Sequence, residues 1–289
     1  MPAKGLGVSG RSALAGQAIR APSIRQAKTS QTSNSNSPAR RATGLSSTQI
    51  LQRNFSQSSA RMAAASFVQQ GKKIVAIGRN YSEHAKELNN AVPKEPIIFL
   101  KPTTSYLPSG GNMEIPKGVV AHYEVELGVV VGKRGREIPE SEAESYVAGY
   151  ALAVDMTARN LQEEVKSKRL PWTVAKGFDA FTPISSYIPK EQVADSANLA
   201  LTLKVNGATK QDGNTKDMIF PIPRLIHHIS TIMTLEEGDL ILTGTPSGVG
   251  PIVPGDKVEC TLKDSTGKQL ATLDFSAVQR EAGYHYKPE

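Results

Sequence analysis

The chain has 289 residues, of which 39% are hydrophobic, enough for a sizeable core. The formal net charge of +7 would suit a nucleic-acid partner, but nine basic and no acidic residues precede residue 62, and the rest carries a charge of −2. One cysteine, Cys260, excludes an internal disulfide and a cysteine zinc site, and no apolar run approaches the roughly 20 residues of a membrane span. The composition therefore predicts a globular protein that binds neither nucleic acid nor membrane.

The first 61 residues are rich in Arg, Ser, Ala and Gln and lack the apolar core of a secretory signal. This composition is typical of a mitochondrial transit peptide, so we expect a disordered leader (1–61) and import into the matrix. Arg53 shortly before Phe55-Ser56 resembles a matrix-processing site. A basic arm that binds nucleic acid or acidic lipid is the alternative. Initiation at Met62 would add a minor, leaderless cytosolic form.

Beyond the leader, short apolar runs alternate with Gly, Pro, Asn and Asp, which predicts many strands and few helices. Asn80 followed by Glu83 fits a capping box for a helix that starts near Ser82. Strands are predicted at 73–77, 96–100, 123–132, 149–154, 201–205, 239–242, 258–262 and 270–273, and further helices at 158–168 and 222–233. No repeat or linker interrupts residues 70–289, so we predict a single α+β domain there.

Glu124 and Glu126 stand two residues apart in an apolar segment that continues as Val129-Val130-Val131. Strand side chains alternate between faces, so the two carboxylates share one site. Two like charges in an apolar setting raise each other's pKa unless a proton or a cation lies between them. A divalent metal is the obvious candidate, and an edge strand with a solvated face is the alternative.

Asp155 follows the predicted strand at 149–154, where a strand gives way to a helix. With Glu124 and Glu126 it would supply three hard oxygen ligands, which suit Mg²⁺ or Mn²⁺ and leave positions for water and substrate. The alternative role for Asp155 is that of a helix N-cap.

His84 and Glu87 are three residues apart on the predicted helix, so their side chains share a face. A carboxylate that holds an imidazole in one tautomer makes it a better base; a lone surface histidine is the alternative. The glycine-rich segment 244–250 lacks the Gly-Lys-Ser/Thr ending of a phosphate loop, which argues against nucleotide binding.

Six motifs follow one another beyond residue 70: Gly78 to Tyr81, Phe99 to Pro102, His122 to Gly128, Asp155 to Arg159, Leu170 to Lys176, and Leu242 to Gly250. In this order they resemble the fumarylacetoacetate hydrolase domain family, in its mitochondrial acylpyruvase and oxaloacetate-acting branch. The resemblance implies a β-rich mixed-sheet roll with short helices, a mobile lid helix and a homodimer.

The resemblance also implies roles for single residues. The carboxylates of Glu124, Glu126 and Asp155 would hold one Mg²⁺ or Mn²⁺. Three residues would be catalytic: His84, Glu87 and Lys176, the last as a fixed positive charge. Four residues would contact substrate: Arg79, Lys101, Gln162 and Thr245. Without the resemblance, Lys176 would be a solvated lysine and Gln162 an ordinary helix-surface residue.

The substrate implied by the resemblance is a small 2-oxo acid that reacts through an enolate held at the metal. One such site could tautomerise or decarboxylate oxaloacetate, or hydrolyse an acylpyruvate. We expect oxaloacetate keto–enol tautomerisation to be the physiological reaction, because the leader favours a citric-acid-cycle substrate. Acylpyruvate hydrolysis and oxaloacetate decarboxylation are the alternatives, and a metal-stabilised binding module without catalysis is a remote one.

Overall fold

The structure of this chain is a computed structural model that describes residues 66–87 and 92–288. These residues belong to one compact unit, Ser46–Glu289. The predicted leader, its processing site and Met62 lie outside the described residues. Among the helices that are described, none is long and apolar enough to cross a membrane.

The described residues form sixteen strands, which agrees with the strand-rich pattern of the sequence. They are β1 Ile74–Gly78, β2 Ile97–Lys101, β3 Tyr106–Pro108, β4 Asn112–Ile115, β5 Ala121–Tyr123, β6 Val125–Val131, β7 Val147–Val154, β8 Thr157–Ala158, β9 Thr182–Ile184, β10 Ile188–Pro189, β11 Ala200–Val205, β12 Ala208–Asn214, β13 Leu240–Leu242, β14 Gly250–Ile252, β15 Lys257–Lys263 and β16 Gln269–Gln279.

Helices are short in the described part of the chain. The α-helices are α1 Phe67–Gln70, α2 Ser82–Glu87, α3 Arg159–Ser167, α4 Thr173–Lys176 and α5 Ile222–Ile232, and the 3₁₀ turns are Thr103–Ser105, Glu140–Tyr146, Lys190–Gln192 and Thr215–Asp217. The helices predicted near Ser82, at 158–168 and at 222–233 are confirmed, with small changes of boundary.

The strands form three sheets. The largest has the order β2-β1-β13-β6-β7-β9-β3, with β10 also paired to β7; the second has the order β12-β11-β15-β16-β4, and the third β14-β5-β8. The pairs β1 with β13, β3 with β9 and β4 with β16 are parallel, and the other strand pairs described are antiparallel. This mixed-sheet arrangement with minor helices confirms the α+β prediction.

Strand β6 lies inside the molecule, with all seven residues buried. Val125, Leu127 and Val129 join the core that includes the second sheet, whereas Val130 packs into a smaller cluster with Phe67. A strand covered on both faces needs apolar residues at consecutive positions, which explains the run that ends in Val131. Carboxylates at one end of this strand are therefore held in a largely apolar environment.

Two local expectations are corrected by the structure. The strand predicted at 123–132 is interrupted at Glu124, where the chain passes from β5 in the three-stranded sheet to β6 in the large sheet. The Asn80 side chain does not form the expected capping box. Its amide donates to the carbonyls of Phe220 (3.1 Å) and Thr243 (2.8 Å), and its oxygen accepts from the Phe220 N–H (2.8 Å). Asn80 therefore joins two distant loops.

Candidate active site

The carboxylates of Glu124, Glu126 and Asp155 converge where β6 and β7 run side by side. The antiparallel register pairs Val125 with Val154, and the Asp155 N–H donates to the Glu124 carbonyl at 2.8 Å. One oxygen from each carboxylate lies within 4.8 Å of the others, and all three residues are buried. The fold thus brings together the three residues that the sequence predicts as metal ligands.

Three cations contact two of these carboxylates. Lys176 Nζ donates to Glu124 Oε2 (2.9 Å) and Asp155 Oδ2 (2.5 Å), Arg159 donates to Glu124 Oε1 (2.6 Å), and Lys101 Nζ donates to Asp155 Oδ1 (2.5 Å). Burial alone would raise the pKa of Glu124, but Lys176 and Arg159 outweigh it and hold that pKa far below its ordinary value. Glu124 is therefore a carboxylate anion.

The lysines of this cluster differ in their surroundings. Burial alone would lower the pKa of Lys176, but the charges of Asp155 and Glu124 outweigh it and raise that pKa. For Lys101, burial prevails over the attraction of Asp155, and its pKa is lowered. Lys176 is consequently a fixed positive charge, and it also lies 5.0 Å above the ring of Phe99.

Glu126 is less fully compensated, because Lys176 lowers its pKa without forming an ion pair with it. Its Oε2 accepts from the Gly244 N–H at 2.7 Å, and no lysine or arginine among the described residues contacts it. Burial, with the charges of Asp155 and Glu124, raises the pKa of Glu126 well above its ordinary value. A divalent cation beside the three oxygens would remove this penalty, so the residues present fit a metal ion with hard oxygen ligands.

A cavity of about 140 Å³ opens onto the carboxylates. Seven of the ten residues predicted for the site line it: Arg79, His84, Glu124, Glu126, Gln162, Lys176 and Thr245. The other three, Glu87, Lys101 and Asp155, do not line it but contact residues that line the cavity or belong to the carboxylate cluster. Most of the predicted site is thus gathered around one small chamber.

His84 and Glu87 contact each other, as their spacing on α2 indicates. His84 is buried, and its Nδ1 lies 3.3 Å from Glu87 Oε2. Glu87 also accepts from the backbone N–H of Gly248, at 3.1 and 3.2 Å to its two oxygens. The carboxylate therefore ties α2 to the glycine-rich loop and contacts an imidazole that lines the cavity.

Lys101 and Thr245 have partners that the sequence did not reveal. Besides Asp155, Lys101 Nζ donates to the Phe181 carbonyl at 2.8 Å, and it does not line the cavity. The Thr245 hydroxyl donates to the Val125 carbonyl at 2.7 Å, so its proton is committed within the protein. The geometry makes Lys101 a buried counter-charge of Asp155.

Arg159 is a cavity residue that the sequence analysis did not assign. It donates to Glu124, to Gln162 Oε1 and to His122 Nδ1, the last at 3.3 Å. Burial and then the charge of Arg159 lower the pKa of His122 to about 4, which keeps that imidazole neutral. Arg159 precedes Gln162 by three residues on α3, and this helical spacing is the signal that would have identified it.

Two further cations line the cavity without a hydrogen bond or ion pair to any described residue: Arg79 and Lys166. Arg79 has a φ of 59°, a left-handed backbone conformation uncommon outside glycine. Partial burial lowers its pKa. Because Lys101, Arg159 and Lys176 are already engaged, Arg79 and Lys166 are the cations left to receive an anionic group of a ligand.

The fold and the carboxylate centre together define a strand-rich α+β protein whose cavity is fitted to a metal ion. The chain belongs to the fumarylacetoacetate hydrolase family, because the family model described as Fumarylacetoacetate (FAA) hydrolase C-terminal matches residues 73–275. The resemblance drawn from six sequence motifs is thereby confirmed.

Similar proteins carry names from the same area of chemistry. A relative from Arabidopsis thaliana, oxaloacetate tautomerase FAHD1, mitochondrial, is 61% identical over 73% of this chain and 93% of its own length. A relative from Dictyostelium discoideum, oxaloacetate decarboxylase, mitochondrial, is 58% identical over 67% of this chain and 90% of its own. The crystal structure of fumarylpyruvate hydrolase from Pseudomonas aeruginosa in complex with Mn²⁺ and pyruvate has a TM-score of 0.67 and 32% identity, covering 73% of this chain and 91% of that one.

Proposed function

We propose that this protein is a Mg²⁺- or Mn²⁺-dependent enzyme of 2-oxo acids and that its principal reaction is the keto–enol tautomerisation of oxaloacetate. The observation that carries the proposal is the cluster of three buried carboxylates, Glu124, Glu126 and Asp155, in which Glu126 has no ion pair with a described residue; His84 lines the same cavity. The names of the relatives from Arabidopsis thaliana and Dictyostelium discoideum support oxaloacetate as the substrate.

Glu124, Glu126 and Asp155 are the residues that would hold the metal ion. When bound, the ion would supply an electrophile for the keto and carboxylate oxygens of the substrate. Lys176 adds a fixed positive charge beside the carboxylates, and its hydrogen bonds to Glu124 and Asp155 fix the position of its ammonium group. A preorganised charge of this kind stabilises the negative oxygen of an enolate without reorganisation.

His84 is the residue we assign to proton transfer. Because its Nδ1 faces Glu87, its Nε2 can remove a proton from substrate C3 or return one. In the enol-to-keto direction, the enol oxygen loses its proton and C3 gains one, so the reaction needs no water and no redox partner. Glu87 orients the imidazole and, through Gly248, couples α2 to the glycine-rich loop.

Acylpyruvate hydrolysis and oxaloacetate decarboxylation are the second candidates. The solved fumarylpyruvate hydrolase and the relative named oxaloacetate decarboxylase favour them. Both reactions release pyruvate from a 2-oxo acid, and both use the same electrophile. Hydrolysis needs in addition a water beside His84, for which the dyad with Glu87 supplies a base. One cavity would then catalyse three reactions, which differ in the bonds that change at substrate C3 and C4.

The second carboxylate of oxaloacetate requires a cation away from the carboxylate cluster. Arg79, predicted as a substrate contact, lines the cavity without a described partner, and Lys166 does so on the neighbouring helix α3. We assign the second carboxylate to these two residues. Gln162 also lines the cavity, and we assign its amide to the substrate; Thr245 acts through the backbone of Val125.

We further propose that the protein works in the mitochondrial matrix. The basic, acid-free leader and the word mitochondrial in the names of the relatives support this. We expect a fluorescent fusion of the full chain to enter mitochondria and to lose that location when residues 1–61 are deleted. Initiation at Met62 would give the minor cytosolic form. A homodimer is the assembly we propose, to be measured by light scattering.

The deciding experiment follows two products at once in the full chain with Mg²⁺. Loss of enol-oxaloacetate absorbance reports tautomerisation, and released pyruvate reports decarboxylation. We expect the enol signal to decay much faster than pyruvate appears and both rates to fall when EDTA removes the metal. Pyruvate that appears faster than the enol decays would make decarboxylation the principal reaction. If the protein binds metal but accelerates neither enol decay nor pyruvate release, it is a metal-stabilised binding module without catalysis.

A further inference from the structure

Val125 lies between two of the metal-site glutamates, at the end of β6 where the neighbouring strand stops. Strand β13 pairs with β6 up to Leu242 opposite Gly128, and the Thr243 N–H reaches the Leu127 carbonyl at 3.1 Å. Beyond that point no strand of the described residues runs along this edge of β6. The backbone N–H and C=O of Val125 are buried, so they need other partners.

Two side chains supply those partners in a closed ring of three hydrogen bonds. The Val125 N–H donates to Gln211 Oε1 (2.9 Å), Gln211 Nε2 donates to Thr245 Oγ1 (2.9 Å), and the Thr245 hydroxyl donates to the Val125 carbonyl (2.7 Å). Gln211 Nε2 also donates to the Pro246 carbonyl at 2.9 Å. The ring replaces the strand partner of Val125 with an amide and a hydroxyl.

Gln211 reaches this position from the other large sheet. It lies in β12, is fully buried, and is the only buried residue of that strand. The pairing of β12 with β11 slips by one residue immediately before it, between the pairs Leu203 with Gln211 and Lys204 with Thr209. Such a bulge turns a side chain out of the regular alternation, and here it directs the amide toward β6.

The glycine-rich loop is fitted against the same part of β12. A Cβ atom on Gly248 would lie 2.1 Å from the Lys210 carbonyl, and one on Gly213 would lie 2.4 Å from Pro246. The loop therefore approaches the bulge at van der Waals distance on both sides of Gln211. The first residue of this loop, Gly244, donates its N–H to Glu126.

We propose that Gln211 is a positioning residue for the metal site. Its ring fixes the Val125 N–H, which belongs to the peptide group following Glu124, and the Val125 carbonyl, which belongs to the peptide group preceding Glu126. Through Thr245 and Pro246 it also anchors the loop whose Gly244 orients the Glu126 carboxylate. The spacing of the two glutamates is thus set from a second sheet, by a residue that touches neither metal nor substrate. The inference rests on the metal site of the proposed function and not on the reaction catalysed there.

The test measures metal binding without catalysis, by calorimetric titration of the full chain with Mn²⁺. Gln211→Met keeps the length and volume of the side chain and removes the three hydrogen bonds that Gln211 itself forms, to Val125, Thr245 and Pro246. Loss of an outer partner of this kind weakens metal binding by about 10- to 100-fold, and that is the loss expected. The control is Thr215→Val, matched to the Thr245→Val variant described below; it removes a buried bridging hydroxyl that is bonded to the Leu199 N–H (2.9 Å) and the Ser196 carbonyl (2.9 Å). The control should lower the unfolding temperature and leave the Mn²⁺ dissociation constant unchanged.

Variants of Thr245 test the second side chain of the hydrogen-bonded ring. Thr245→Val should weaken Mn²⁺ binding, and Thr245→Ser, which keeps the hydroxyl, should bind Mn²⁺ as the unmodified chain does. The double variant Gln211→Met with Thr245→Val should have a Mn²⁺ dissociation constant no larger than that of the single variant with the lower affinity. These Thr245 variants decide the question if Gln211→Met does not fold. Wild-type affinity in Gln211→Met, or additive losses in the double variant, would overturn the positioning role. Absence of Mn²⁺ binding by the unmodified chain would instead overturn the metal site itself.

Discussion

Lys101 and Asp155 form an ion pair that is buried on both sides: Nζ and Oδ1 are 2.5 Å apart, and the side chains are 0% and 1% exposed. The lysine is fully buried and does not line the cavity. It compensates the charge of a carboxylate that the metal site requires. We therefore propose that the pair stabilises the folded site, whereas the sequence predicts that Lys101 contacts substrate.

Replacing this lysine should lower stability more than substrate affinity. Lys101→Met leaves Asp155 with Lys176 as its cation, and breaking a buried pair costs about 3 kcal/mol in the free energy of unfolding. Because a bound metal would supply the missing positive charge, the loss should be smaller in Mn²⁺ than in EDTA. Urea unfolding in both buffers measures the two values.

An exposed ion pair provides the control for Lys101→Met. Lys190 contacts Glu144 at 2.8 Å on the surface, and Lys190→Met should change the free energy of unfolding by less than about 1 kcal/mol in either buffer. A Lys101→Met protein of undiminished stability with a raised KM for oxaloacetate would contradict the structural role and restore the substrate contact.

Glu126→Gln separates metal binding from folding. The amide keeps the shape of the side chain and removes a buried charge that has no cation of its own, so the metal-free protein should be at least as stable as the unmodified one. A ligand at roughly 100 times its Kd stabilises a protein by about 2.7 kcal/mol, and this stabilisation by Mg²⁺ should vanish in the variant.

Thermal unfolding with and without Mg²⁺ measures the effect of Glu126→Gln. Glu114→Gln is the matched control, since Glu114 is an exposed carboxylate in β4, 3.8 Å from Arg280, and should retain the full shift. A Mg²⁺-dependent shift that persists in Glu126→Gln would remove Glu126 from the ligand set.

How far the sequence could predict this site depends on the range of each interaction. Glu124 and Glu126 are two residues apart and His84 and Glu87 three apart, so strand and helix periodicity alone predicts that each pair shares a face. Those pairings are local, and the structure contains both. The family motifs then supplied the distant members, such as Lys176, that no local pattern relates to the glutamates.

Interactions over long separations were not accessible in this way. Lys101 meets Asp155 across 54 residues and Gln211 meets Val125 across 86, and no periodicity connects such positions. The break at Glu124 was missed for a related reason. It contains neither Gly nor Pro, and it arises because β5 and β6 pair in different sheets. Asn80 likewise looks like a cap in sequence, whereas its tertiary partners at Phe220 and Thr243 decide its role.

The dyad on α2 should control turnover and not metal binding. His84→Asn removes the imidazole that lines the cavity, and loss of a general base lowers kcat by about 100-fold or more. Glu87→Gln should cause a smaller loss, because the amide can still contact His84 but no longer holds it by charge. Initial rates and Mn²⁺ titrations of both variants measure the two effects.

His228 on α5 gives the control for the dyad, since it does not line the cavity. His228→Asn should keep the unmodified kcat. Equal kcat in His84→Asn and in the unmodified chain would assign proton transfer to another residue, and a large loss of Mn²⁺ affinity in His84→Asn would place the imidazole in the metal site.

Arg79 and Lys166 should distinguish substrates that carry a second carboxylate from those that do not. Each cation lines the cavity without a described partner, so either can bind the distal carboxylate of oxaloacetate, while acetylpyruvate offers no such group. A hydrogen bond to a charged group contributes about 1.5–3 kcal/mol. Arg79→Met should therefore raise the KM for oxaloacetate by about 10-fold or more. Lys166→Met should raise it less, because Lys166 is more exposed than Arg79. Neither variant should change the KM for acetylpyruvate.

The matched control for these cations is Lys168→Met, at the residue that directly follows helix α3. Lys168 contacts Glu164 at 2.9 Å and does not line the cavity, so its replacement should leave both KM values unchanged. A rise in KM that is equal for oxaloacetate and acetylpyruvate would mean that Arg79 and Lys166 act on the shared 2-oxo acid group. A rise confined to oxaloacetate assigns them to the second carboxylate, and makes Arg79 and Lys166 the residues that select a dicarboxylate.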